Sequence, residues 1–266
     1  MFGNRRIFMK GKYSPLKEKP LRVPGQSADE AIENLIADDQ TKYVAYGSTF
    51  IVFAIYEWVR SLTADTFHPI LISIVAGIAV FYSVFRLRQI RDKIRNFKMG
   101  RDGERTVAEI LDELREHGYA VLHDIVGDGF NVDHVVLSSH GIFTIETKTR
   151  SKSDGSQIGF AGDNIIIGGR ASGNDAIIQS EAEAKWLRDL LTATTGKRLP
   201  VKPVLVFPGW FVEPMPKAIK ERVWVLNPKA VPSFIAGESV QIADADVHLA
   251  TFHLSRYVRI RGQETA

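Results

Sequence analysis

The distribution of apolar residues separates a strongly apolar first part of the chain from a mixed second part. Two segments, 43–59 and 69–85, are almost continuously apolar, and each has 17 residues. This length is at the lower end of what spans the hydrocarbon layer of a membrane. Apolar side chains occupy every side of the second segment, which only lipid or a deep core tolerates. We predict a two-helix transmembrane hairpin; the alternative is a buried helical hairpin in a soluble domain.

From residue 100 onward, helical and strand patterns alternate, which predicts a mixed α/β domain. Val107 and Leu111 recur at helical spacing within 103–117, and a longer helical pattern covers 174–195 and ends at Gly196. A further helix is predicted at 244–257. Strands are predicted at 119–126, 131–138, 141–149, 157–160, 164–167, 202–207 and 222–226.

The charges around the two apolar segments predict how these segments are oriented in the membrane. Residues 1–42 contain eight Lys or Arg and six Asp or Glu with several Pro and Gly, so we expect a largely mobile arm with a short helix near 29–36. The stretch 86–101 has seven basic residues and one acid. Basic residues favour the cytoplasmic side of spanning helices. We therefore predict a multi-pass protein of the plasma (inner) membrane with both termini cytoplasmic, although the stretch could also bind anionic lipid or nucleic acid.

The predicted organisation has four parts. They are a mobile polar arm at 1–42, a transmembrane helical hairpin at 43–86, a basic juxtamembrane linker at 87–99 and a cytoplasmic domain at 100–266, with the lipid bilayer contacted through 43–85.

The composition excludes some classes of protein and of chemical site but does not identify the function. Of 266 residues, 45% are apolar and 24% are charged, which excludes a wholly disordered chain. A net charge of +3 is too small to require a polyanionic partner. The chain has no cysteine, so it has no disulfides, thiolate metal sites or cysteine nucleophiles, and any metal ion must be bound by oxygen or histidine.

The segment 131–149 contains the residues with the clearest chemical pattern. Strand alternation directs Glu146 and Lys148 to one face, and a hairpin turning near Ser139 brings Asp133 across toward Glu146. Two carboxylates provide the hard oxygen ligands that Mg²⁺ prefers, and they leave positions for water and phosphate. Asp133 and Glu146 are therefore predicted metal ligands for Mg²⁺ or Mn²⁺, with Lys148 beside them to stabilise a phosphodiester transition state.

Two helical residues are predicted to point toward the same region. Glu104 shares a helix face with Val107 and Leu111, and Gln179 shares one with Trp186. Each could instead be an ordinary helix-terminal charge or a satisfied core amide. A second Glu-x-Lys sequence at 183–185 lies in a helical pattern, where residues two apart point in different directions, so we do not expect it to bind a metal ion.

Four blocks occur in an order that resembles the nuclease-related domain (NERD) family over about 98–210. They are GRDGE at 100–104, NVDHVV at 131–136, GIFTIETK at 141–148, and Gln179. The resemblance implies a restriction-endonuclease-like fold of the PD-(D/E)xK superfamily, a mixed sheet flanked by helices. It also implies catalytic roles for Glu104, Asp133, Glu146, Lys148 and Gln179. The proline that precedes the aspartate in the superfamily motif is replaced here by Val132.

We therefore expect a membrane-anchored, Mg²⁺-dependent nuclease that hydrolyses nucleic acid, DNA by preference. No aromatic platform interleaved with basic residues is present in the sequence, so contacts to the phosphate backbone would dominate binding. The alternatives are a non-catalytic, membrane-tethered DNA-binding module and a membrane-anchored protein-interaction module.

Overall fold

The computed structural model describes residues 21–62, 69–151 and 157–264. Its helices are α1 (Gln26–Asn34), α2 (Thr41–Arg60), α3 (Pro69–Asp112), α4 (Asp175–Thr195), α5 (Lys217–Arg222), α6 (Val231–Ala236) and α7 (Asp244–Glu264). Its strands are β1 (Ala120–Val126), β2 (Asn131–Ser138), β3 (Gly141–Thr147), β4 (Gln157–Ala161), β5 (Asn164–Ile167), β6 (Arg170–Ala171), β7 (Val201–Val206), β8 (Phe211–Val212) and β9 (Trp224–Leu226). The predicted mixed α/β domain is confirmed.

The main sheet is mixed and has the strand order β1-β2-β3-β7-β9. The first three strands are antiparallel neighbours, whereas β3, β7 and β9 are parallel to one another. A tight turn at Ser139 and His140 joins β2 to β3, and α4 belongs to the crossover that makes β7 parallel to β3. This topology places the ends of β3 and β7 beside the start of α4.

Helices cover both faces of the main sheet. On one face, α4 and α7 bury apolar side chains such as Leu187 and Leu254 against Val135 of β2. On the other face, α3 and α6 pack Leu111 and Val231 against strand residues that include Val136, Phe143 and Val204. The strands are buried almost throughout, which is typical of a sheet with helices on both sides.

A small second sheet has the order β6-β5-β4-β8; its strands β4, β5 and β6 lie between β3 and α4 in the sequence, and β8 follows β7. The strands predicted at 157–160 and 164–167 pair as the antiparallel β4–β5 hairpin, and β8 adds a parallel edge strand. Ile158 and Ile165 of the hairpin pack with Ile177 of α4 and Leu205 of β7 in a core of their own. This sheet therefore forms a wall next to the ends of β3 and β7.

The described part of the N-terminal region is packed onto the domain. Residues 1–20 of the predicted mobile arm lie outside the described residues, but residues 26–60 run without interruption through α1, a π-helical turn at Leu35–Gln40, and α2. Arg22 donates to buried Asp124 of β1 at 2.8 Å, and Asp29 of α1 bonds to Arg101 and Arg105 of α3. These ion pairs attach the first described residues to β1 and α3, in the segment predicted to be largely mobile.

Helix α3 joins regions that the sequence analysis treated as separate. Its 44 residues include the second apolar segment, the whole basic stretch and the helix that carries Glu104. At 1.5 Å per residue it is about 66 Å long. Residues 87–99, predicted as a linker, are instead helical throughout, because Arg, Lys, Gln, Leu and Met favour the helix and no Pro interrupts it.

Helices α2 and α3 run antiparallel side by side. Trp58 donates to Ser73 near one end of the pair, and Arg86 donates to the Tyr43 hydroxyl near the other. Gly47 allows the close approach, since a Cβ there would lie 3.4 Å from Cβ of Ser83. The outward faces expose large apolar side chains on both helices, for example Phe53, Phe81 and others.

Among the described helices, one is long and apolar enough to cross a membrane by length and composition: the continuous helix that contains α3 and runs from 69 to 117. Only 11% of its most apolar window is buried inside the protein. Helix α2, the first of the two predicted spans, does not reach the same combination of length and hydropathy among the described residues. The predicted pair of membrane spans is therefore supported for one helix, and the multi-pass topology is not supported.

Candidate active site

Asp133 and Glu146 lie next to the last pair of the β2–β3 ladder. His134 of β2 pairs with Ile145 of β3 in the antiparallel register, and continuing this register by one residue sets Asp133 opposite Glu146. Residues directly opposite in such a pair point to the same face, with Cβ atoms about 5 Å apart. Asp133 Oδ2 also accepts a hydrogen bond of 2.7 Å from the backbone N–H of Thr147. The hairpin therefore brings the two carboxylates together, as the alternating pattern predicted.

Lys148 and Gln179 complete a hydrogen-bonded group around Glu146. The Lys148 ammonium donates to Glu146 Oε1 at 2.5 Å and to Gln179 Oε1 at 2.8 Å. The amide of Gln179 donates to the same Glu146 oxygen at 2.8 Å. Lys148 follows the last residue of β3, and Gln179 lies in the second turn of α4, so the group connects the end of the sheet to the helix that packs on it.

Glu183 joins this group although the sequence analysis did not select it. The amide of Gln179 donates to Glu183 Oε1 at 2.8 Å, and the Glu183 side chain is buried. Lys185, the other end of the second Glu-x-Lys sequence, is exposed and pairs with Asp189 instead. The relevant signal was the spacing of four between Gln179 and Glu183, which places both on one face of α4.

Glu104 lies at the edge of the group and is positioned by its neighbour Gly103. A Cβ on Gly103 would overlap the hydroxyl of Thr149, so only glycine lets α3 approach the chain just after β3 this closely. Glu104 makes no hydrogen bond to the other carboxylates among the described contacts, but its charge interacts with those of Asp124, Asp133 and Glu146. All five predicted site residues therefore lie in one region.

Burial and mutual repulsion disfavour ionisation of these carboxyl groups. Burial, followed by the charge of Asp124, raises the pKa of Glu104 to about 7. Burial, followed by the charge of Glu146, raises the pKa of Glu183 to about 9. The same two causes raise the pKa of Asp133 well above its ordinary value, and the Thr147 N–H opposes them. A cluster of carboxyl groups with raised pKa values needs protons or cations to stay buried.

Glu183 gives a pH-dependent stability that can be measured. Its folded-state pKa of about 9 lies above the unfolded value near 4.5, so its contribution to stability is complete below about pH 4.5 and is lost as the pH rises toward 9. In metal-free buffer the free energy of unfolding should fall by on the order of 2 kcal/mol between about pH 7 and pH 9. Urea titrations at several pH values measure this change. Glu183→Gln should flatten the curve, and an equally steep curve in the variant would contradict the assignment.

Several oxygen atoms in the group have no hydrogen-bond partner among the described residues. Glu146 Oε2 and Glu183 Oε2 are buried without a partner, as are the hydroxyls of Thr147 and Thr149. Hard oxygen atoms without protein partners fit Mg²⁺ better than a thiophilic metal. No group of three or more Asp, Glu or His side chains in the described ranges is arranged to hold a metal ion as it stands. The fit therefore rests on Asp133 and Glu146, the two predicted ligands, together with backbone and water oxygens.

His134 lies on the opposite face of β2, as its position next to Asp133 predicts. Its Nδ1 is 2.9 Å from Nδ1 of His123, whose Nε2 is 3.2 Å from Asp112 Oδ1. Because the carboxylate accepts from His123 Nε2, a neutral His123 must accept at Nδ1 from His134. Burial lowers the pKa of both imidazoles, so the pair stays neutral and structural.

Comparison with known proteins identifies the central part of the chain. Residues 99–208 match the family model described as the nuclease-related domain, NERD. An uncharacterized protein from Bacillus anthracis is 37% identical over 54 positions, which cover 18% of this chain and 26% of that protein. The matched region thus spans about a quarter of the relative. No solved structure matches. The family match covers all five predicted site residues and Glu183.

Proposed function

Because residues 99–208 are a nuclease-related domain, we propose that this chain is a membrane-anchored nuclease that hydrolyses phosphodiester bonds of nucleic acid, DNA by preference, with Mg²⁺ or Mn²⁺. The observation that carries the proposal is the hydrogen-bonded group of Asp133, Glu146, Lys148 and Gln179 at the ends of β2 and β3. A carboxylate pair beside an ammonium can hold a cation and stabilise the negative charge that develops in phosphodiester hydrolysis. The mixed sheet between helical layers is compatible with the proposed restriction-endonuclease-like fold.

In this proposal each side chain of the site has a separate role. Asp133 and Glu146 would hold the cation, and a bound cation would supply polarisation of the phosphate and a more acidic water. Lys148 directs its ammonium to the reacting phosphate and offsets the negative charge that develops there. Gln179 holds Lys148 and Glu146 in their mutual orientation through both ends of its amide. Glu183, with a pKa of about 9, carries a proton at neutral pH, whereas Glu104, with a pKa of about 7, is only partly protonated there; both add acidic groups around the ligands.

The membrane anchor in this proposal is the apolar part of α3. Its outward-facing side chains, among them Ile74, Ile78 and Phe81, are exposed in the absence of lipid. Contact with a bilayer would bury this surface, which water would otherwise have to solvate. Helix α2 packs against the same part of α3 and exposes apolar residues of its own, so we propose that it enters the bilayer with α3. Both termini are then on the cytoplasmic side.

A non-catalytic DNA-binding module is the second candidate, and the basic stretch of α3 favours it. Arg88, Arg91 and Lys98 are exposed and form no ion pair with any described residue. Such a surface binds the phosphate backbone whether or not a bond is cleaved. Cleavage and its metal dependence therefore distinguish the two functions.

The test uses the full chain, purified in a mild detergent, with labelled duplex DNA. Cleavage should appear with Mg²⁺ or Mn²⁺ and stop when EDTA is added. Mg²⁺ should also raise the thermal unfolding midpoint of the wild type, because binding to the folded state stabilises it. Asp133→Asn should lose both responses, since it removes one charge from the proposed ligand pair.

DNA binding without cleavage at any metal concentration would support the non-catalytic module and reject the nuclease. A protein that neither binds nor cleaves would reject both, in favour of a membrane-anchored interaction protein. Vesicle flotation tests the anchor separately, and a chain that stays in the soluble fraction would reject membrane insertion.

A further inference from the structure

A cleft of about 190 Å³ opens beside the proposed site, between the ends of the main sheet and the second sheet. Lys148 and Gln179 form the boundary that it shares with the proposed site. The other polar side chains that line it are those of Arg150, Ser172 and Asp175. Its floor consists of apolar side chains, chiefly Ile165, Ile167 and Phe207. The cleft is thus continuous with the proposed site, and none of the roles assigned above uses it.

Two cationic side chains face this cleft, and each has hydrogen-bond donors that no described residue uses. The Lys148 ammonium has three donors, of which Glu146 and Gln179 use two. Arg150 is exposed, and its guanidinium forms no ion pair with a described residue. The Arg150 backbone is held by Trp210, whose indole N–H donates to its carbonyl at 3.4 Å. The Arg150 main chain therefore has one long hydrogen bond to Trp210, and its side chain is available to a ligand.

The surrounding groups favour an anion, with one exception. Ser172 is exposed, and its hydroxyl forms no hydrogen bond with a described residue. Helix α4 begins at the cleft, and its first intrahelical bond runs from the Ile178 N–H to the Asn174 carbonyl, so earlier amides of the helix remain available. These amides add to the positive field of the two cations. Asp175, in the first turn of α4, is the one acidic residue of the lining and opposes an anion.

We propose that this cleft holds the phosphate next to the scissile phosphate on the same nucleic-acid strand, with Arg150 as its main contact. The inference rests on the proposed function, because it takes the reacting phosphate to lie at Lys148. A guanidinium binds two phosphate oxygens at once, which fixes the strand direction as well as its position. The apolar floor accommodates the sugar carbons between the two phosphates. The cleft thus aligns the strand and does not take part in the bond-breaking step.

The test compares a substrate with many phosphates and a substrate with one. The full chain and its Arg150→Ala variant are assayed on an oligonucleotide and on bis(p-nitrophenyl) phosphate, which has a single phosphodiester. The variant should raise KM for the oligonucleotide about ten-fold, the loss expected for one charge-assisted contact. It should leave turnover of the single-phosphate substrate unchanged. Binding is measured in EDTA, where nothing is cleaved. The slope of the logarithm of the oligonucleotide binding constant against the logarithm of the salt concentration should be smaller in magnitude by about one for the variant than for the wild type.

Three further variants make the test specific to the cleft. Arg150→Lys keeps the charge without the paired donors and should lie between the wild type and Arg150→Ala. Asp175→Asn removes the opposing charge and should lower KM for the oligonucleotide about two-fold. Arg170 is also exposed, but it lies on β6 outside the cleft, so Arg170→Ala should behave as the wild type.

An Arg150→Ala protein with the KM and salt slope of the wild type would overturn this inference and leave the proposed nuclease intact. A variant that slows both substrates equally would also overturn it, because Arg150 would then act at the scissile phosphate itself. A wild type that cleaves neither substrate would overturn the inference together with the proposed function.

Discussion

Lys148→Ala is expected to lower kcat for DNA cleavage by about a hundred- to a thousand-fold, the usual cost of removing one preorganised electrostatic donor. The ammonium contacts Glu146 and Gln179 and lies where the reacting phosphate is proposed to bind. Its loss should affect the transition state more than substrate binding, so KM should change much less. Initial rates at saturating Mg²⁺, over a range of DNA concentrations, separate the two parameters.

The second Glu-x-Lys sequence provides the matched control. Lys185 has the same sequence relation to Glu183 that Lys148 has to Glu146, but its side chain is exposed and pairs with Asp189 on the surface. Lys185→Ala should therefore cleave DNA as the wild type does. Equal rates for wild type and Lys148→Ala would show that Lys148 has no role in the reaction. Equal losses in both lysine variants would point to a general electrostatic effect instead of a specific site.

Arg22→Ala is expected to destabilise the protein by about 3–5 kcal/mol, as the removal of one partner from a buried ion pair does. The side chains of Arg22 and Asp124 are only 5% and 3% exposed, and their ion pair is 2.8 Å long. Without the guanidinium, Asp124 would keep only the N–H and hydroxyl of Ser27 as partners. Urea unfolding, followed by tryptophan fluorescence, gives the change in free energy.

Two further variants test whether the loss of stability in Arg22→Ala comes from leaving a buried charge without its partner. Arg105→Ala breaks the ion pair with Asp29, in which the Arg105 side chain is 45% exposed, and should cost less than about 1 kcal/mol. Combining Arg22→Met with Asp124→Asn removes both charges, and Asn tolerates the positive φ of 51° at this position. The double variant should be more stable than Arg22→Ala alone. If Arg22→Ala cost no more than Arg105→Ala, the ion pair would not hold the N-terminal segment to the sheet.

The sequence predicted the main sheet and the nearness of Asp133 to Glu146 because the patterns that indicate them are local. Alternation in 131–149 identified β2 and β3, and the short turn between them determined that Asp133 meets Glu146. The long helix at 174–195 was placed within one residue of α4. These features follow from strand alternation, helical periodicity and a tight turn, which neighbouring residues specify by themselves.

The features that the sequence missed depend on contacts between distant residues. The sequence pattern excludes Glu183 because residues two apart on a helix, such as Glu183 and Lys185, point in different directions, whereas the spacing of four to Gln179 brings Glu183 into the site. Arg22 meets Asp124 across 102 positions of the chain, which no local pattern indicates. The unbroken helix α3 was divided at residue 86 because its composition changes there from apolar to basic. A change in solvent environment along one helix looks, in a sequence, like a boundary between elements.

The continuity of α3 also determines how far from a bilayer the chemistry would take place. From Phe85, the last residue of the apolar segment, to Glu104 there are 19 residues of uninterrupted helix, or about 29 Å along its axis. If the apolar part is inserted as proposed, this rod acts as a spacer of fixed length and not as a flexible tether. Nucleic acid that lies farther from the membrane than the length of this helix allows would not reach the site. Cleavage would then be confined to a thin layer of cytoplasm beneath the membrane.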